Sequence, residues 1–338
     1  MTTAEATEVE GVHGDIARLR DALACVIVGQ KSVIEEVLIC LFAGGHVLLE
    51  GAPGLGKTLL VRTLAEAMAL RFSRIQFTPD LMPGDIVGTN VVVEDERGRK
   101  RFELSRGPIF GQLVLADEIN RATPKTQSAL LEAMAEQTVT IAGTRHTLEE
   151  PFFVLATENP IEMEGTYPLP EAQLDRFLFK VLVPQPDEDA LVGILSRTTG
   201  VGRSEAPRVL DGPRLLAIRA RVRDVPIAEP ILRYIARLVR ASDPSQPGAA
   251  PSAKALLRYG AGVRAGQALT LAAKVAALMA GREHVSFADV RRVALPALRH
   301  RLIPGFEAEA EGITTDAIVA RLLAEVPEVP ASVTAIAG

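Results

Sequence analysis

Gly51-Ala52-Pro53-Gly54-Leu55-Gly56-Lys57-Thr58 is the stretch from which the rest of this 338-residue chain is read. It fits G-x-x-x-x-G-K-[ST] without a mismatch. The apolar run His46-Val47-Leu48-Leu49-Glu50 precedes it and reads as a buried strand. Leu59 to Met68 follows and reads as a helix. A glycine-rich loop between a strand and a helix turns its backbone N–H groups inward, and the helix N-terminus adds positive potential. In such a loop Lys57 reaches the β- and γ-phosphates of a nucleotide, and the Thr58 hydroxyl is placed to ligate Mg²⁺. A glycine-rich turn that binds nothing is the alternative, and the full spacing with both flanks argues against it.

A second chemical signal lies downstream. Gln112-Leu113-Val114-Leu115-Ala116-Asp117-Glu118 reads as a buried strand ending in two adjacent carboxylates. Beside a phosphate loop, Asp117 would hold Mg²⁺ through water and Glu118 would polarise the attacking water. Without the loop, the pair would read as two surface acids at a strand end. Phe72 to Phe77, Phe152 to Thr157 and Phe177 to Val183 are three further strand candidates. Asn159, at the tip of the second of these, either touches the γ-phosphate or the attacking water, or caps a turn. Leu174-Asp175-Arg176 leads into the last.

Composition sets the bounds. Lys+Arg total 37 against Asp+Glu 42, a formal charge of -5, which argues against dominant nucleic-acid binding. Met1 to Glu10 is small, polar and acidic, unlike a signal peptide, and no apolar run approaches the ~20 residues of a membrane helix. The chain therefore reads as cytosolic. Cys25 and Cys40 both read as reduced core residues, and the five histidines show no metal-ligand spacing. Val91 to Leu104, around the turn-like Asp95 to Arg99, and Thr138 to Leu148, around Gly143, read as two β-hairpins. Arg97, Arg99, Lys100 and Arg101 cluster on the first. Beyond Pro184-Gln185-Pro186 the pattern is helical. The expected organisation is a disordered tail (1–14), an α/β core carrying five apolar strands (15–184) and an all-α domain with a C-terminal tail (185–338).

The residues together resemble the MoxR-type AAA+ ATPases. The phosphate loop and Leu115-Ala116-Asp117-Glu118-Ile119-Asn120-Arg121 fit many AAA+ proteins. Pro79 to Asp85, Pro124 to Met134, and Glu164 to Phe177 narrow the resemblance, which runs from about Asp15 to about Val326. It implies an ATP- and Mg²⁺-dependent ATPase domain with a parallel five-stranded sheet and two inserted hairpins, a helical lid and a ring, commonly a hexamer. By position, Asn159 resembles sensor 1, Arg176 the arginine finger, Arg264 the sensor-2 arginine, and Val28-Gly29-Gln30 the segment beside the adenine. The family also implies chaperone-like work on a client protein, with a separate von Willebrand factor A domain partner. A metal-chelatase motor subunit or a DNA-acting relative is the alternative. Two departures stand out: Glu158 where the family often has Gln, and Gly262-Val263 where Ser-Pro often precedes the sensor-2 arginine.

Overall fold

The structure, a computed structural model, describes residues 3–94, 98–160, 165–199 and 205–329. Asp95 to Arg97 of the first hairpin turn, Glu164 and the C-terminal tail from residue 330 lie outside the described residues.

The apolar runs become strands: β1 (His46–Glu50), β2 (Phe72–Gln76), β3 (Gly88–Glu94), β4 (Lys100–Arg106), β5 (Leu113–Asp117), β6 (Thr138–Ile141), β7 (Thr144–Thr147), β8 (Phe153–Glu158) and β9 (Phe177–Leu182). Five of them form one parallel sheet in the order β2-β5-β8-β1-β9. The central strands are covered on both faces, so β5 from Leu113 to Ala116 and β8 from Phe153 to Ala156 read as unbroken apolar runs rather than alternating ones. β2 is an edge strand, and there the chain carries Ser73, Arg74 and Gln76. β3–β4 and β6–β7 are antiparallel hairpins outside this sheet.

Helices pack on both faces of the sheet. In chain order they are α1 (Thr3–Val26), α2 (Lys31–Ala43), α3 (Lys57–Ala67), α4 (Pro83–Val87), α5 (Pro124–Glu136), α6 (Glu171–Leu174), α7 (Glu188–Thr198), α8 (Gly212–Asp224), α9 (Glu229–Ser242), α10 (Pro251–Leu256), α11 (Val263–Met279), α12 (Phe287–Leu298), α13 (Phe306–Ala310) and α14 (Thr315–Glu325). A short antiparallel pair, β10 (Leu257–Tyr259) with β11 (Ile303–Pro304), lies among the C-terminal helices. Side chains alternate across a strand, so Val47 and Leu49 enter one core while Leu48 enters the other. The first core joins α1 and α2 to α8, α9, α11 and α12. The C-terminal helices thus share their core with one face of the sheet. α9 buries Ile231, Tyr234, Ile235 and Leu238, the spacing of a single helical face.

Two expectations need correcting. The first helix begins at Thr3, not after a fourteen-residue tail. Val12, Ile16, Leu19 and Leu23 recur at helical spacing and are buried together, and buried Asp15 pairs with Arg214 of α8 at 2.6 Å. That apolar stripe outweighs the small acidic residues before it. Cys25 is exposed and only Cys40 is buried. Cys25 stands two residues beyond buried Leu23, which is about 200° around a helix and so on the opposite face.

Glu36 of α2 lies near Arg299 and Asp316, and burial pushes its carboxyl up to about 7 from 4.5, against the pull of Arg299. Between those values the folded chain keeps a proton that the unfolded chain has released, so this group lowers stability as pH rises through that window. The span corresponds to at most about 3 kcal/mol. Glu36→Gln is expected to raise Tm by several degrees at pH 8 and to change it little at pH 5, measured by differential scanning calorimetry. An equal shift at both pH values would show that titration of Glu36 is not the source.

Candidate active site

β1 delivers the chain to Gly51 at the C-terminal edge of the sheet. Gly54 and Gly56 adopt φ of 83° and 77°, the left-handed region where a side chain is strained, and Gly56 caps α3. A Cβ on Gly51 would approach the Val183 carbonyl oxygen to 3.0 Å. Lys57 Nζ donates to the carbonyl oxygens of Gly51 at 2.6 Å and Glu158 at 3.4 Å, so the ammonium lies across the loop. Burial lowers its pKa, while Asp117, Glu118 and Glu50 pull the other way. Phosphate loop and acid pair therefore share one electrostatic neighbourhood.

Val28-Gly29-Gln30 joins α1 to α2 beside this loop. Gln30 Nε2 donates to the Leu55 carbonyl at 2.7 Å. Gly29 has a φ of 74°, and a Cβ there would stand 2.4 Å from the Ala190 Cβ of α7. The segment expected beside the adenine is thus held between the phosphate loop and α7.

The acids are held by neighbouring strands. Asp117 is buried at the end of β5. Its Oδ1 accepts the Thr157 hydroxyl at 2.7 Å, and its Oδ2 accepts Arg74 Nη2 at 2.6 Å. The same Thr157 oxygen accepts the Glu118 backbone N–H at 2.8 Å. Glu118 has a φ of 56°, which a non-glycine residue adopts at a cost of order 1 kcal/mol or more. That turn takes the second carboxylate out of line with the first. Glu118 Oε2 accepts Gln76 Nε2 at 3.0 Å and Arg121 Nη1 at 2.9 Å. Asn159 is buried immediately beyond β8. Glu158 is held above the usual carboxylate range by burial, opposed by Lys180, whose ammonium sits 2.6 Å from Glu50.

Arg176 and Arg264 meet elsewhere. Parallel pairing sets Phe177 of β9 against His46, whereas the phosphate loop leaves β1 beyond Glu50, which pairs with Leu182. At ~3.3 Å per residue the two edges are roughly 13 Å apart. Arg176 Nη1 donates to the Leu131 carbonyl of α5 at 2.5 Å. Arg264 approaches Asp175 at 3.7 Å, and buried Arg301 fixes the other oxygen of Asp175 at 2.8 Å. These residues line a cleft of about 270 Å³ at the edge of the sheet opposite the phosphate loop.

Arg74, Gln76, Thr157, Asp175 and Arg301 had no role in the sequence reading. Thr157 left a signal: it is the hydroxyl in an otherwise apolar buried run.

Comparison with known proteins follows the same lines. Residues 46–179 match the ATPase family associated with various cellular activities (AAA), and residues 249–322 match the AAA lid domain. Chaperone MoxR1 of Mycobacterium tuberculosis is 41% identical over 93% of this chain and 83% of its own. The chain belongs to the MoxR family of AAA+ ATPases. Protein MoxR of Paracoccus denitrificans is 35% identical over 94% of this chain and 97% of its own. A solved structure from Cytophaga hutchinsonii, of inferred ATPase activity, superposes with a TM-score of 0.88 at 41% identity, covering 96% of this chain and 98% of that one. Both departures from the MoxR pattern have a structural setting. Glu158 lies close to Lys180 and Glu50. α11 starts at Val263 behind Gly262 without a proline or a side-chain cap. Among the described residues, no helix is long and apolar enough to cross a membrane.

Proposed function

We propose that this MoxR protein binds ATP at Gly51 to Thr58, hydrolyses it to ADP and phosphate, and uses the cycle to remodel a client protein. One observation carries the reading: Lys57 spans the carbonyls of Gly51 and Glu158 within the field of Asp117 and Glu118. Loop, lysine and acids then meet one triphosphate. Thr58 and Asp117 would hold Mg²⁺. No cluster of three or more His, Cys, Asp or Glu able to hold a metal occurs among the described residues. A sparse set of hard oxygen donors suits an ion that keeps waters and phosphate oxygens as its other ligands. Bound there, the ion would neutralise charge on the β- and γ-phosphates. Glu118 takes the proton of the attacking water. Asn159 orients that water or the γ-phosphate.

Arg176 and Arg264 complete the site of a neighbouring copy, since both lie at the edge of the sheet opposite their own phosphate loop. A site made by two different surfaces is the property of a head-to-tail ring. The β3–β4 hairpin, with Val91, Val92 and Phe102 exposed, is the contact element for the client.

Lys57→Ala tests the reading. Its ammonium makes charge-assisted contacts that no other residue replaces, so affinity for ATP should fall on the order of 100-fold. Isothermal titration calorimetry at saturating Mg²⁺ measures it, and wild-type affinity in the variant would refute the assignment of the loop.

A further inference from the structure

Asp117, the acid that the proposed ATPase needs on its metal, has both carboxylate oxygens engaged within the chain. Oδ1 accepts the Thr157 hydroxyl at 2.7 Å. Oδ2 accepts two N–H groups of Arg74, from Nε at 3.1 Å and from Nη2 at 2.6 Å. A carboxylate oxygen offers about two lone-pair sites, so Arg74 alone fills Oδ2. Sheet order explains the encounter. β2 lies beside β5, with Arg74 paired to Leu115 and Gln76 to Asp117. Arg74 thus sits diagonally across from Asp117, within reach of a long side chain. Gln76 steadies the guanidinium from the other side, its Oε1 accepting from Nη2 at 2.5 Å.

The Arg74 side chain is 48% exposed while that of Asp117 is 11% exposed. The carboxylate is fixed and the guanidinium can withdraw into water. A divalent cation approaching Oδ2, directly or through a bound water, meets another cation already in place. At such separations like charges repel, and the arginine cannot relieve this by losing its proton.

Resting on the ATPase reading above, we infer that Arg74 competes with Mg²⁺ for Asp117, so that the metal enters by displacing the guanidinium. Arg74 then sets the Mg²⁺ concentration at which the site loads. A brace that merely keeps Asp117 aimed at the metal would have the opposite sign, since its loss would weaken metal binding. The two roles separate on direction alone.

The test follows binding of the fluorescent analogue mant-ATP to the full chain while Mg²⁺ is raised. Arg74→Met removes the charge and keeps most of the length. The Mg²⁺ concentration at half-saturation should fall about fivefold, the scale of a partly exposed ion pair, with affinity at saturating Mg²⁺ unchanged. An unchanged or higher half-saturation point overturns the proposal. If circular dichroism shows that Arg74→Met does not fold, Arg74→Gln carries the same expectation and the same refutation. A wild-type chain that bound no mant-ATP at saturating Mg²⁺ would overturn the ATPase reading and this proposal with it. That result is distinct from binding with an unshifted Mg²⁺ dependence, which overturns this proposal alone.

Discussion

Glu118→Gln is expected to bind ATP as the wild type does and to lose turnover by about 10²- to 10⁴-fold, the range of a general base. The substitution keeps the shape of the side chain and removes its basicity. The proposed phosphate and metal contacts belong to Lys57, Thr58 and Asp117, which it leaves alone. The Glu118 backbone N–H still donates to Thr157. An amide oxygen can still accept from Arg121, so the left-handed turn keeps its local contact. Phosphate release at saturating Mg²⁺-ATP, beside equilibrium binding of the same preparation, gives both halves of the result. Turnover within threefold of wild type would mean that another group takes the proton.

The second large effect concerns Arg176. Its hydrogen bond to the Leu131 carbonyl is a single contact, worth about 1 kcal/mol, so Arg176→Ala should fold. ATP binding should persist because the residue is far from its own phosphate loop. Hydrolysis should drop on the order of 10³-fold, as when an arginine supplied in trans is withdrawn from a phosphoryl-transfer site. Mixing supplies the decisive comparison. Arg176→Ala subunits keep Glu118, and Glu118→Gln subunits keep Arg176. In a randomly exchanged equimolar head-to-tail ring, about a quarter of the interfaces unite an intact base with an intact arginine. ATPase activity should therefore return when two inactive proteins are combined. Full activity of Arg176→Ala alone would falsify the assignment. Absence of rescue, with exchange demonstrated by a fluorescence energy-transfer pair, would leave Arg176 either structural or acting within its own subunit.

What could be read in the sequence was whatever acts locally along the chain. The loop from Gly51 to Thr58 needs only its own glycines and its flanks, and the buried strands announce themselves as apolar runs. Arg74 and Thr157 could not be placed in this way. Their contacts with Asp117 span 43 and 40 residues and depend on which strands become neighbours. Strand order is set by crossover packing of the whole α/β layer, not by any one strand. Cys25 shows a smaller failure. It reads as a core residue from its type, but which side of α1 faces the core depends on the stripe from Val12 to Leu23 as a whole. Arg301 is a third such residue after Arg74 and Thr157, its partners Asp175, Leu178 and Phe177 lying more than 120 residues away. α12 ends at Leu298, and the guanidinium turns inward onto Asp175 and the carbonyls of Leu178 and Phe177.

One hydroxyl joins both acids, and this bears on how such a chain can change over generations. Thr157 lies near the end of β8, and Asn159 follows two residues later. Successive strand residues face opposite sides, so a one-residue insertion or deletion before Thr157 would turn the hydroxyl to the other face of the sheet. Asp117 would lose a donor, the Glu118 N–H would lose its acceptor, and Asn159 would shift register, all from a single event. Hairpins β3–β4 and β6–β7 lie outside the sheet and carry no such linkage. Length variation should therefore accumulate in the hairpins, while the spacing from Phe153 to Asn159 is inherited as one indivisible unit.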